Sequence, residues 1–368
     1  MKNANNITTI PTKIIEGLNI LHKTNVCNKQ YNIYNQEFIK EVINFPISTY
    51  ETPLFASIKR GIKVSKIHPI SVAILSNCMT RSAIFQCKSV FEVEFLIDFI
   101  KKQQTNGKLQ EVVNTTSNHC KIKDITFQVV GNLAYARFSY DTSEASGHNM
   151  TTIATNELAK WIVENFKIIS KIDVKYLSNS GNTCCDKKVS AINSISGRGK
   201  NVIAEIVISR QTCNEILHTT PEKIVELNIK KNLIGSTLAG SLCSANAHYA
   251  NMLASIYLPL GQDIANIVEG SQGITHCEVN DNDELYFSVN LPNIICGCVG
   301  NGKDLDFVKE NLKLIGCLDE NYKVIDYASE RMAKIICAVV LCGELSLMSA
   351  LTNQDELVKS HIKIERKK

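Results

Sequence analysis

Apolar and polar positions along this chain follow two periods, and they divide it into parts. Ile14 to Leu21 and Gln36 to Ile43 carry helical apolar spacing, so residues 1–50 read as an N-terminal helical segment for packing or dimerisation. A strand-like run, Ile70 to Leu75, comes next. From Ala83 to Leu177 the texture changes. A helix over Val90 to Lys101 and a polar stretch are followed by strands over Ile125 to Val130 and Ala134 to Tyr140. A loop then leads into a long helix, Asn149 to Phe166, which holds the only tryptophan, Trp161, and Val174 to Leu177 reads as a closing strand. Alternation on this scale predicts a small α+β unit inserted in a larger one. Further on, Val202 to Ser209 and Glu284 to Leu291 read as strands, and Ala333 to Ala350 as a buried helix. The predicted architecture is therefore α+β. Residues 51–82 and 178–368 form a large α/β domain, 83–177 a small insertion, and 1–50 a helical lead-in.

Composition narrows the function. The 368 residues suffice for two or three compact units, and 44% hydrophobic with 21% charged is ordinary for a soluble globular protein. A net charge of +4 is mild, and only Lys363 to Lys368 forms a basic run, so no nucleic-acid partner is expected. The 14 cysteines include no C-x-x-C pair, which argues against zinc-ribbon and thioredoxin-like sites; no metal is expected. Neighbours such as Cys184-Cys185 suit buried thiols in a reducing cytosol. The N-terminus, MKNANNITTI, lacks an apolar signal region. The most apolar stretch, Ile335 to Cys342, is too short to span a bilayer, and Glu344 comes soon after it. The expectation is a cytoplasmic protein without a membrane anchor.

The chemistry concentrates in Asn179 to Asn193, NSGNTCCDKKVSAIN. Asp186 is followed directly by Lys187 and Lys188, with Ser180, Gly181 and Asn182 just upstream. Adjacent ammonium groups repel, so a fold that keeps two together implies anions around them: a carboxylate substrate or a developing oxyanion. A bare Asp-Lys-Lys is more often a solvated basic turn. The flanks change that balance, because S-G-N-x-C-x-D-K-K-x-x-A-I-N followed by Gly197-Arg198-Gly199-Lys200 resembles the catalytic lysine segment of 3-hydroxy-3-methylglutaryl-CoA (HMG-CoA) reductases. Other segments carry the same resemblance: E-x-x-L-x-A-S-x-x-R-G from Glu51, Met79-Thr80-Arg81, and N-x-x-K-N-L-x-G-S around Lys231. So do Asn246 to Asn251 with Gly261-Gln262-Asp263, the turn Cys296 to Gly302, Gly343 to Met348, and L-V-K-S-H ending at His361.

The resemblance implies roles for particular residues. Glu51, Lys187, Asp263 and His361 would be catalytic, with Glu51 protonated beside Asp263 and Lys187, and His361 on a mobile C-terminal flap protonating the leaving thiolate. Arg81, Ser180, Asp186, Lys188, Lys231 and Asn251 would hold the acyl part, and Arg60 would contact coenzyme A. His248 is expected to be structural. The insertion would be a ferredoxin-like cofactor unit. Its loop Thr142 to Met150 is similar to a nicotinamide-cofactor motif, placing Glu144, Ser146, Gly147, His148 and Asn149 at the cofactor. Gly147 permits close approach, and the helix after it offers its N-terminal amides to a pyrophosphate. No G-x-G-x-x-G run supports a Rossmann site. NADPH is the implied hydride donor. The stretch Ser117 to Lys121 has Asn118 where animal enzymes carry an arginine, which leaves NADH open, with Lys121 as a substitute cation. The implied reaction yields mevalonate and free coenzyme A, from a homodimer or homotetramer with sites shared between chains. A CoA-thioester reductase for another acyl group, a non-catalytic binding homologue and a structural oligomer are the alternatives.

Overall fold

A computed structural model describes residues 12–23, 38–353 and 355–365. Among the described residues, ten strands form one hydrogen-bonded network. The long path runs β2-β1-β3-β7-β10-β9-β8, from β1 (Lys13–Lys23), β2 (Phe38–Ile47), β3 (Ile70–Gln86), β7 (Gly199–Ile208), β8 (Ser244–Ala245), β9 (Gly273–Val279) and β10 (Leu285–Ile294). Strand β3 is 17 residues long and serves two sheets. Ser71 to Cys78 pairs with β7, while Met79 to Gln86 pairs with β5 (Leu133–Asp141). The end of β3 also pairs with β6 (Lys175–Ser178), and β4 (Lys121–Val130) pairs with β5. The second sheet thus has the order β4-β5-β3-β6, all antiparallel.

The expected N-terminal helices are corrected. The described parts of residues 1–50 that carry regular structure are strands β1 and β2, paired antiparallel. Ile43, Phe45 and Ile47 alternate into the core, as do Leu18 and Ile20. The register shifts between Ile15 and Leu18, where Gly17 has φ +84°. That bulge adds a residue, so two core-facing side chains, Ile15 and Leu18, stand three apart and imitate a helical period.

Two hydrophobic cores fill the described chain. The larger surrounds helix Ala328–Thr352, whose Ile335 to Cys342 are fully buried. This helix is 25 residues long and apolar enough to cross a membrane, which corrects the expectation from length. Burial explains its composition instead: 83% of its most apolar window lies inside the protein. Helix α1 (Pro53–Ile67) packs against it so closely that a Cβ on Gly61 would stand 2.3 Å from the Cys342 carbonyl oxygen. The smaller core lies between the second sheet and helices α2 (Val90–Thr105), α3 (Lys108–Asn114) and α4 (His148–Ser170). Phe85, Leu96, Phe138, Leu158 and Ile162 are among its buried residues. Helix α2 begins where Ser89 accepts from the Glu92 amide at 3.3 Å, a side-chain cap.

Candidate active site

The lysine segment lies between β6 and β7 and runs through helix α5 (Ala191–Ser196), which Ser190 caps. Its backbone is unusual. Asn182, Cys185 and Lys187 all have positive φ, at 60°, 44° and 56°. Non-glycine residues adopt that region only when their surroundings impose it. Here Lys187 N donates to Glu269 Oε1 at 3.2 Å, and buried Asn193 donates to the Cys185 carbonyl at 3.0 Å. Gln272 accepts from Ser190 N at 3.3 Å and donates back to the Ser190 carbonyl at 3.1 Å. Behind the loop, Arg198 and Glu269 are essentially sealed from solvent and pair at 3.0 Å. Arg198 also makes a 2.9 Å charge contact with Asp186. Burial pushes the Glu269 carboxyl upward, against the pull of Arg198 and its hydrogen bonds.

This support presents Lys187 Nζ to Asp263 Oδ2 at 2.7 Å. The aspartate is held by its own turn, accepting from Ala265 N at 3.0 Å to cap the short helix Ile264–Asn266. The Lys187 pKa is raised, chiefly by its hydrogen bond to Asp263. Burial pushes Asp263 up, but the Lys187 and Ala265 hydrogen bonds and the Lys187 charge outweigh it and leave the carboxyl below its usual value. Both groups are therefore charged near neutrality. Such an ammonium can meet an oxygen on which negative charge develops.

The pair lines a cavity of about 890 Å³. Arg81, Ser146, Gly147, His148, Asn149 and Asp186 line it too, so most of the expected cofactor loop meets the expected lysine segment. Arg81 lies three residues past the Cys78–Gly199 pairing, where β3 has entered the second sheet, and this places it between the two units. His148 Nε2 stands 3.8 Å from Asp186 Oδ1; burial first, then Arg198, lowers its pKa and keeps the ring neutral. Ser180 and Lys188 share the loop but are exposed outside this cavity, with Lys188 Nζ on the Asp186 carbonyl at 3.1 Å.

The other expected residues lie elsewhere within one chain. Glu51 was expected beside Asp263 and Lys187; it lines a separate cavity of about 470 Å³ with Arg60, His248 and Asn251. Its Oε2 accepts from Asn251 Nδ2 at 3.0 Å. Glu51 stands two residues before α1 begins at Pro53, and both α1 and the helix Tyr249–Tyr257, which carries Asn251, pack on the long buried helix. Lys231 lies on the π-helical stretch Asn228–Gly235, bonded to Asn232 Oδ1 at 3.0 Å, and lines neither cavity. His361 falls on helix Glu356–Glu365, and its side chain lies outside the described residues.

Glu144 lines a different cavity from the rest of its loop. Its carboxylate accepts from Ser329 N at 2.6 Å, at the start of helix Ala328–Thr352, where a negative charge favours the helix. It lines a third cavity, about 460 Å³, with Asn118, His119 and Lys121.

Sequence reading missed the supports. Arg198 was visible in Gly197-Arg198-Gly199-Lys200, but nothing marked Glu269 as its partner or Gln272 as the side chain that holds Ser190. Gln262 stood out only as the middle of Gly-Gln-Asp. It accepts from Gly297 N at 2.9 Å and donates to the Gly297 carbonyl at 3.1 Å, locking the loop opposite α4. Glu344 is fully buried; it accepts from the Ala247 and His248 amides at 2.6 and 3.0 Å and from Thr275 at 2.8 Å. It thereby fixes the start of the helix that carries Asn251.

Comparison with known proteins places the chain in a family. The hydroxymethylglutaryl-coenzyme A reductase profile matches residues 26–366. The 3-hydroxy-3-methylglutaryl-coenzyme A reductase of Methanocaldococcus jannaschii is 40% identical over 334 residues, covering 90% of this chain and 80% of that one. The enzyme of the same name from Haloferax volcanii is 40% identical over 322 residues, covering 87% and 77%. Among solved structures, the class II 3-hydroxy-3-methylglutaryl-CoA reductase of Streptococcus pneumoniae bound to NADPH superposes with a TM-score of 0.68. It is 16% identical, over 96% of this chain and 78% of that one, a likeness of fold. With a family profile spanning nearly its whole length and relatives at this identity, the chain belongs to the hydroxymethylglutaryl-coenzyme A reductase family.

Proposed function

We propose that this chain reduces (S)-HMG-CoA to (R)-mevalonate and free coenzyme A, a four-electron reduction using two NADPH, for isoprenoid biosynthesis. The carrying observation is the Lys187–Asp263 pair at 2.7 Å, set in a cavity that Arg81 and the start of α4 also line. A nicotinamide dinucleotide fits the residues present. The first turn of α4 has no side-chain cap and no acidic residue, and it comes after Gly147 at φ +93°. Amides left open at a helix start suit a diphosphate. The small unit has the order β-α-α-β-β-α-β, with α2 and the short α3 together standing where a single first helix would be, across a sheet arranged β4-β5-β3-β6; this supports reading residues 83–177 as a ferredoxin-like cofactor unit.

When bound, NADPH supplies the hydride. The chain's residues do the rest. Lys187 donates to the thioester oxygen as it becomes negative, with Asp263 keeping the ammonium charged and aimed. Arg81 takes the free carboxylate through a guanidinium that cannot lose its charge. Glu51 supplies a proton to the carbonyl oxygen, and His361 protonates the departing thiolate. Ser180, Asp186, Lys188, Lys231 and Asn251 hold the acyl part. The aldehyde left after coenzyme A departs meets the same Lys187 for the second reduction.

Because Glu51 and Asn251 line a different cavity from Lys187, one complete site in this reading draws on two copies of the chain. Leu238, 83% exposed, with Ile234 and Leu242, also exposed, gives the stretch following Lys231 apolar surface suited to such an interface. The deciding assay tracks NADPH oxidation and thiol release with HMG-CoA as substrate. Two NADPH consumed per coenzyme A released is expected. No turnover with HMG-CoA, but turnover with another acyl-CoA, would establish a related thioester reductase instead; no turnover with either would leave a binding homologue.

A further inference from the structure

Resting on the reductase reading, a cation just beyond the glycine turn acquires a role. Lys303 comes directly after Gly300-Asn301-Gly302 and lines the same 890 Å³ cavity as Lys187. The turn closes through Lys303 N donating to the Gly300 carbonyl at 3.2 Å, with φ of +107° at Gly300 and +83° at Gly302. The loop is pressed onto the approach to α4. A Cβ on Gly297 would lie 2.2 Å from Ser146 N, and Cys298 N donates to the Glu144 carbonyl at 2.8 Å. Lys303 and the uncapped start of α4 therefore line one space from adjoining walls.

The charges in that space are unevenly matched. Lys187 is paired with Asp263, and Asp186 with Arg198. Among the described residues, neither Arg81 nor Lys303 is in an ion pair. Arg81 is taken up by the substrate carboxylate in the proposed reaction. Lys303 is half-buried, and its Nζ is anchored by donation to the Gly261 carbonyl, which uses one of its three N–H groups. Burial lowers its pKa, the sign of an ammonium that an anion would relieve. No atom lies within 4 Å of a Cβ built on Gly300, so the turn's backbone is open to a ligand.

We propose that Lys303 binds the cofactor's diphosphate, holding it between the glycine turn and the first amides of α4. The ligand class is a dinucleotide diphosphate. Lys303 is then a binding residue for the hydride donor rather than for the acyl substrate.

The test compares wild type with Lys303→Met and Lys303→Arg. NADPH affinity is measured by fluorescence titration, inorganic pyrophosphate by its inhibition constant against NADPH, and HMG-CoA by its KM at saturating NADPH. Lys303→Met is expected to weaken NADPH and pyrophosphate each by roughly tenfold, the effect of one charge-assisted hydrogen bond, with the KM for HMG-CoA unchanged. Lys303→Arg should recover most of both. Unchanged NADPH affinity with a lower kcat would overturn the proposal, and would mean that Lys303 acts through Gly261 on Asp263. Equal losses for NADPH and HMG-CoA together with a lowered Tm would overturn it in favour of a structural lysine. If wild type binds pyrophosphate and NADPH through Lys303 yet does not turn over HMG-CoA, the reductase reading fails and the diphosphate site stands.

Discussion

Arg60 Nη1 lies 2.5 Å from Glu356 Oε1, and the same guanidinium donates to Ser346 Oγ at 2.9 Å and to the Ser346 carbonyl at 2.6 Å. One side chain thus joins α1, the long buried helix and the terminal helix that bears His361. Arg60 donates to three acceptors on two residues, so if it binds coenzyme A as the resemblance implies, an arriving phosphate competes with Glu356. Glu356→Gln should loosen the terminal helix, raising amide exchange over residues 357–362 about two- to fivefold, the scale of a part-exposed ion pair. An unchanged rate would mean that apolar packing, not the ion pair, holds the helix.

The same carboxyl gives a pH dependence. Burial pushes Glu356 up, but Asn353 and Arg60 together bring it below the ordinary glutamate value. A depressed folded pKa contributes stability above the unfolded value, about 4.3, that disappears as pH falls through the folded one. Exchange protection in this helix should be complete at about pH 6 and decline progressively below about pH 4. Protection that falls as pH rises would reverse the sign and rule out this carboxylate.

Lys187→Ala should cut turnover by about 10²-fold or more if the ammonium serves the oxyanion, with NADPH affinity preserved. Steady-state kcat and cofactor titration measure the two. Retained turnover would move the electrophilic role to another group.

Arg198→Met should destabilise the fold by about 3–5 kcal/mol, since it strands Glu269 in a site without solvent. Urea denaturation reads the loss. Adding Glu269→Gln removes the stranded charge and should recover part of it; a double variant no more stable than the single would show that shape, not charge, is the problem.

His361→Gln keeps size and polarity but cannot carry a proton to a thiolate. HMG-CoA reduction should slow greatly, while reduction of free mevaldehyde, which has no thiolate to expel, should be nearly unchanged. The ratio of the two rates in wild type and variant is the measurement. If both fall together, His361 positions the terminal helix instead.

Much of the small unit was legible because its elements are long and periodic; α4 and β5 fall within a few residues of their expected bounds. Of the N-terminal strands, β1 was not, because the Gly17 bulge disguises period two as period three to four; nothing comparable in the register accounts for β2. Lys187 and Asp263 were legible as motifs, yet their pairing depends on Glu269 and Arg198, two buried charges far apart in sequence with no local pattern. The separation of Glu51 from Lys187 had no local sign either, since it results from how the sheet and the long helix place α1.

The double use of β3 has a mechanical consequence. The lysine loop leaves β6 at Ser178, which pairs with Ile84, and enters β7 at Gly199, which pairs with Cys78. Both ends of the loop are thus pinned to one strand, six residues or roughly 20 Å apart along it. Any bend of β3 at Met79, where the two sheets meet, changes that span and with it the tension on a backbone already held at three left-handed residues. Swinging the small unit is, through β3, the same motion as stretching or slackening the support beneath Lys187.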